Sequence, residues 1–107
     1  MGKKTPYKLE FLPRALQDMT DAASYIAREL YEPDAAQRLL DDIADAAERA
    51  ACFPYAYPSH TSPEPLEHEY RKLIVRNYIV FYWIDDQEKR ILIERVLYMR
   101  RDCGTLL

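Results

Sequence analysis

Between Tyr70 and Asp85 the chain reads YRKLIVRNYIVFYWID, and its last apolar run closes as RVLYMRRD. Arg71, Lys72 and Arg76 lie in the first stretch, and Arg95, Arg100 and Arg101 in or just after the second. Guanidinium and ammonium groups hold negative charge, and the aromatics packed behind them offer flat rings. The chain as a whole is nevertheless acidic, with a net charge of −3 over 107 residues. Phosphate affinity scales with the number of cationic contacts, so an anionic partner has to be met locally, by this C-terminal part.

Other chemistry-bearing residues point nowhere. Cys52 and Cys103 are far apart and belong to no CxxC or Cys/His cluster, as in a reduced, cytoplasmic chain with two unpaired thiols. Asp41, Asp42 and Asp45 crowd one helix-like segment, but their spacing spreads the carboxylates over its solvated side. No metal or cofactor is therefore expected. No apolar run is long enough to span a bilayer, and no membrane partner is expected.

The elements that must position the cationic ribbon follow from periodicity. The length suits a single domain over residues 1–107, with a core that needs no metal or disulfide. YKLEF, residues 7–11, alternates apolar and charged like a half-buried strand. Pro13 suits a first helical turn, and Leu16, Met19, Ala23, Ile26 and Leu30 then recur at steps of three and four. YEPD ends that helix, and Pro33 opens a second, with Asp34 against its N-terminal dipole. Its inner stripe reads Ala36, Leu39 or Leu40, Ile43, Ala47 and Ala50. Small residues at Ala46, Ala47, Ala50 and Ala51 let the helices approach closely as an αα-hairpin.

After a proline-rich loop, FPYAYPSHTSPEP, three runs rich in Ile, Val and aromatics cover residues 70–76, 78–84 and 90–98. Asn77 tolerates positive φ, so Arg76-Asn77 serves as a hairpin turn with Val75 facing Tyr78. Alternation then sends Leu73, Val75, Val80 and Tyr82 to one face. Lys72, Ile74, Ile79, Phe81 and Trp83 go to the other. One face receives the helices; the other needs a second layer, a partner or a ligand. The expected fold is two-layered α+β: an N-terminal strand, an αα-hairpin, then a three-stranded antiparallel β-meander.

That order of pieces, with DMTDAASYIAREL, DAAQRLLDDI, YRKLIVRNYIVFYWID and RVLYMRRD, resembles the RelE/ParE superfamily. These are toxins of bacterial type II toxin–antitoxin, or plasmid-stabilisation, modules. The resemblance implies a growth inhibitor bound by a cognate antitoxin, and two targets. RelE-like members enter the ribosome and cleave mRNA by metal-free chemistry; ParE-like members poison DNA gyrase and are not nucleases.

On the first branch, the resemblance implies a catalytic Lys72, and Arg100 or Arg101 in the place of the arginine after the last strand. Ile79 and Cys103 stand where that branch has its phosphate-clamping arginine and its C-terminal tyrosine. Arg76, Arg95 or Tyr98 would then have to substitute, and His68, between Glu67 and Glu69, occupies an acid/base position in outline. Arg71 adds to the basic strand, and Phe81 and Trp83 would stack on bases or lie under antitoxin. The slight preference from the YRKLIV strand is for ribosome-dependent mRNA cleavage. The alternatives are gyrase poisoning, a degenerate member that only binds antitoxin, and a homodimerisation domain using the aromatic face. Antitoxin is expected on the sheet edge and the apolar face, with an acidic stretch meeting Lys72, Arg76, Arg100 and Arg101.

Overall fold

The computed structural model describes residues 7–61 and 65–99. Strand β1 (Lys8–Phe11) leads into helix α1 (Pro13–Ser24), which Pro13 opens at its first turn. The stripe that α1 buries is Ala15 and Ala22, with Met19 and Ile26 packed against the same core. Leu16 and Leu30, expected inside, are about half exposed. For Leu30 the cause is local. Over Tyr25–Glu29 the helix widens into a π turn, with the Leu30 N–H reaching back to the Tyr25 carbonyl at 3.3 Å. An extra residue per turn rotates the residues after it out of line with the stripe. Tyr31, at φ 56°, then ends the helix.

Helix α2 (Pro33–Cys52) buries Ala36, Leu39, Ile43, Ala46, Ala47, Ala50 and Ala51. The doubled alanines broaden its buried stripe, so α2 packs on both α1 and the sheet. The sheet runs β1-β4-β3-β2, from β2 (Arg71–Val75), β3 (Tyr78–Asp85) and β4 (Arg90–Tyr98). The meander is antiparallel throughout. β1 completes it as a fourth strand, parallel to β4, with Leu9 beside Ile91 and Phe11 beside Ile93. Leu73, Val75, Val80, Tyr82, Ile91, Ile93 and Val96 form the sheet's side of the main core.

Two details depart from strict alternation. Arg76, not Asn77, takes the positive φ of the β2–β3 turn, at 55°. Its Nε is thereby held over α2, donating to Asp42 at 2.7 Å. In β4 the register slips beside Phe81 and Tyr82, which pair with Arg95 and Ile93, so Glu94 is an extra residue. This bulge reverses the phase of the strand, and Ile91, Ile93 and Val96 all face the helices.

The proline-rich segment makes one 3₁₀ turn, Pro54–Ala56, and then runs along the outer edge of β2. The His60 N–H donates to the Tyr70 carbonyl at 2.7 Å, and the Lys72 N–H to the Pro58 carbonyl at 3.1 Å. The buried Tyr82 hydroxyl donates to the Pro54 carbonyl at 2.5 Å, tying the turn to the sheet. Burial pushes that phenol up to about 12.

Candidate functional site

The second sheet face is not bare. Phe81 is fully buried, with the His60 ring edge-on at 5.0 Å. Trp83 carries the His68 ring stacked on it at 3.6 Å, and its indole N–H donates to Glu94 at 3.0 Å. Segments on either side of residues 62–64 therefore supply the second layer that the alternation demanded. In this arrangement Phe81 offers no ring for a base to stack on, and Trp83 already has a stacking partner. Of the second layer, partner or ligand that this face was expected to need, the loop's two histidines supply the first.

The candidate catalytic groups are distributed, not convergent. Lys72 lies on the loop-covered face, in cross-strand register with Phe81. Arg95 shares that row one strand further on, but its guanidinium is held by Asp18 of α1 at 2.7 and 3.0 Å. Tyr98 faces the helix side, its ring edge-on to Tyr78 at 5.4 Å. Arg76 is spent on Asp42. Arg71 also faces the helix side, donating to the Tyr57 carbonyl at 2.7 Å, 3.5 Å from Glu69 and over the Tyr55 ring. His68 sits on Trp83 with Nε2 4.0 Å from Glu67. Arg100, Arg101 and Cys103 lie outside the described residues. Lys72 and Tyr98 thus point to opposite faces of the sheet among the described residues. Among the described residues no group of three or more His, Cys, Asp or Glu side chains can hold a metal ion.

A concavity with an apolar lining lies elsewhere. A groove of about 780 Å³ runs between α1 with its π turn, the start of β3 and the C-terminal end of β4. Ala22, Ile26, Tyr78 and Val96 contribute to its apolar lining, and Tyr25, Leu30 and Tyr98 stand exposed along it. The π turn places Tyr25 and Leu30 there. Asp18, on the groove wall, accepts from Arg95 and from the Val96 N–H at 2.9 Å. It closes the stretch of β4's outer edge that β1 is too short to cover. Sequence reading missed Asp18, though a signal existed: a carboxylate at the middle of the Ala15–Ala22 stripe requires a cation from another element.

A second missed cluster joins three loops. The Tyr7 and Tyr55 hydroxyls both donate to the Asp86 carboxylate, Tyr7 at 2.6 Å. These two bonds hold Asp86 below the usual carboxylate range, and the Asp86 bond drives Tyr7 up to about 12. Nothing in the spacing of Tyr7, Tyr55 and Asp86 announces their meeting.

His60 gives a prediction on stability. Both ring nitrogens are buried without a hydrogen-bond partner among the described residues. Burial first, and the Lys72 charge second, lower its pKa. The folded state thus disfavours the protonated ring. Its stability is complete above the unfolded pKa and falls as pH drops below about 6.5 toward the folded value. Urea midpoints should decline from about pH 7 to about pH 5, and His60→Phe should flatten that part of the slope. An unchanged slope would show that the imidazole is solvated when charged.

A strand, an αα-hairpin and a meander closed by a parallel first strand define the α+β fold of RelE- and ParE-like proteins. Known structures agree. A chain of the chromosomal ParDE toxin–antitoxin system from P. aeruginosa superposes with a TM-score of 0.69 at 15% identity, covering 89% of this chain and 98% of that one. A chain of the RelBE2 toxin–antitoxin complex from Mycobacterium tuberculosis gives 0.54 at 20% identity, covering 92% and 97%. One from the archaeal RelE–RelB complex of Pyrococcus horikoshii gives 0.50 at 14%, covering 90% and 98%. No curated protein matches the sequence. The family model for the ParE toxin of the type II toxin–antitoxin system parDE matches residues 9–103, and the chain belongs to that family. No helix among the described residues is long and apolar enough to cross a membrane.

Proposed function

We propose that this toxin acts by binding DNA gyrase, without cutting RNA, and is neutralised by a cognate antitoxin. The observation that carries the reading is the separation of the candidate catalytic groups. Metal-free phosphodiester cleavage needs a base, a charge stabiliser and an acid around one phosphate. Here Lys72 and Tyr98 face opposite ways, Arg76 and Arg95 are paired with carboxylates, and Ile79 carries no charge. A protein target suits the molecule better: its groove beside α1 is flanked by exposed Tyr25, Leu30 and Tyr98. Membership of the ParE family supports the same target. The antitoxins named with the structural neighbours support a partner of that kind, and the groove has the form that receives an amphipathic helix.

The test sets two assays side by side. Purified toxin is expected to inhibit supercoiling by gyrase and to leave a defined mRNA intact on programmed ribosomes. Lys72→Ala should still arrest growth on induction. Ribosome-dependent cleavage that Lys72→Ala abolishes would reverse the reading. One observation keeps cleavage as the second reading: Lys72 has no ion pair among the described residues, so its ammonium remains available to a phosphate.

A further inference from the structure

Tyr31, Arg76 and Lys89 hold positive φ, at 56°, 55° and 55°. A large side chain in this left-handed region strains the backbone, and the region suits glycine or asparagine. Two of the three residues use their side chains within the molecule. Arg76 donates to Asp42 at 2.7 Å, and the Lys89 ammonium lies 5.3 Å from the centre of the Tyr7 ring. Tyr31 does not. Among the described residues its side chain has no hydrogen bond, ion pair or ring contact, and it is 85% exposed. It stands just past the helix end, where glycine is the usual residue. A tyrosine at this place strains the backbone and gains no burial in return.

The surroundings share the pattern. The π turn over Tyr25–Glu29 leaves Tyr25 and Leu30 at least half exposed, so the helical hairpin ends in three large wet side chains. Tyr25 and Leu30 line the groove, and Tyr31 lies outside that lining. Exposed apolar groups gathered at one place mark a contact surface more often than single ones do. The charges beside Tyr31 are one-sided as well. Arg28, Glu29, Glu32 and Asp34 set three carboxylates against one guanidinium, and none of the four has an ion pair among the described residues.

We propose that this end of the αα-hairpin, anchored by Tyr31, is where the toxin meets its target, on a basic protein surface with an apolar recess for the ring. The inference rests on the gyrase reading above and deepens it by naming the contact on the toxin and the chemistry that fits it. An enzyme that grips a DNA duplex carries basic surface for the phosphates, and a net-negative tip bearing an aromatic ring complements such a surface. Charge decides against two other occupants. Phosphates of a nucleic acid would face the three carboxylates, and a second copy docked tip to tip would oppose like charges. The groove stays with the antitoxin helix, so the two partners read different residues.

Tyr31→Gly tests this with little risk to the fold, because glycine is the residue that a φ of 56° favours. The variant should melt no lower than the parent and bind antitoxin within about twofold of it, yet about tenfold or more of it should be needed to inhibit supercoiling by gyrase. Tyr31→Phe, which keeps the ring, should lose no more than about threefold. Glu29→Gln combined with Glu32→Gln should weaken inhibition and make it less sensitive to salt. Undiminished inhibition by Tyr31→Gly, beside a parent that inhibits, overturns the assignment and leaves the gyrase reading standing. A parent that does not inhibit removes both. A loss of antitoxin affinity as large as the loss of inhibition overturns the assignment and makes Tyr31 an antitoxin anchor. Sedimentation in which the parent self-associates and the glycine variant does not overturns it in favour of a second copy. Should Tyr31→Gly melt well below the parent, Tyr31→Asn, which also tolerates this backbone, takes its place in every comparison.

Discussion

Asp18→Ala is expected to remove about 3 kcal/mol of stability, the low end of the range for taking one partner from a buried ion pair, because this pair is only partly buried. The Asp18 and Arg95 side chains are only 14% and 15% exposed, and the carboxylate makes three bonds, two to the guanidinium and one to the Val96 N–H. The bond to Asp18 is the main reason the Arg95 guanidinium holds its proton more firmly than usual. Alanine would remove the carboxylate that balances this charge and leave a strand-edge N–H without its acceptor. Asp18→Asn keeps an acceptor for Val96 and should lose less, about 1.5 kcal/mol. Urea unfolding at neutral pH reads both, and the alanine variant should melt roughly 10 °C or more lower. A loss below about 1 kcal/mol would place the pair among solvent-screened surface bridges.

The second large effect is on recognition. Tyr25→Asp combined with Leu30→Asp should weaken the complex with antitoxin by about a hundredfold or more, since truncated anchor residues commonly cost over 2 kcal/mol each. Both side chains are at least half exposed, so helical content and melting should hardly change. Burying either new carboxylate against Ile26 and Val96 would desolvate a charge in a groove whose lining cation, Arg95, is already held by Asp18. Titration calorimetry on the double variant checks this. Full-strength binding would put the antitoxin helix on some other surface.

Much of the fold was legible in the residues. Two prolines marked the helix starts, Val75 does face Tyr78, and the alanines of α2 lie where the hairpin needs them. These are local or nearest-neighbour properties, and period and turn chemistry encode them. The hidden features depended on long-range geometry or on a break of period. The bulge at Glu94 turns the last strand over midway, which no count of alternating residues anticipates. The π turn carries Leu30 off the helical stripe and onto the groove. His60 lies within the proline-rich run and His68 was placed only as an acid/base candidate, yet their rings form the roof over Phe81 and Trp83. The cationic residues were found, but their partners were not: Asp18 and Asp42 claim Arg95 and Arg76 from elsewhere in the chain.

The parallel seating of β1 against β4 has a consequence for biosynthesis. The first strand's partner is the last to be made, and the Arg90–Glu10 ion pair between them spans 80 positions of chain. Assembly dominated by such distant pairings is slow, because loop closure precedes its reward. A ribosome that stops before β4 releases a product lacking the sheet's second interior strand, with β1 unpartnered and the alanine-rich face of α2 uncovered. Synthesis aborted before β4 therefore yields material for proteolysis, and it also lacks the strand that walls the groove beside α1.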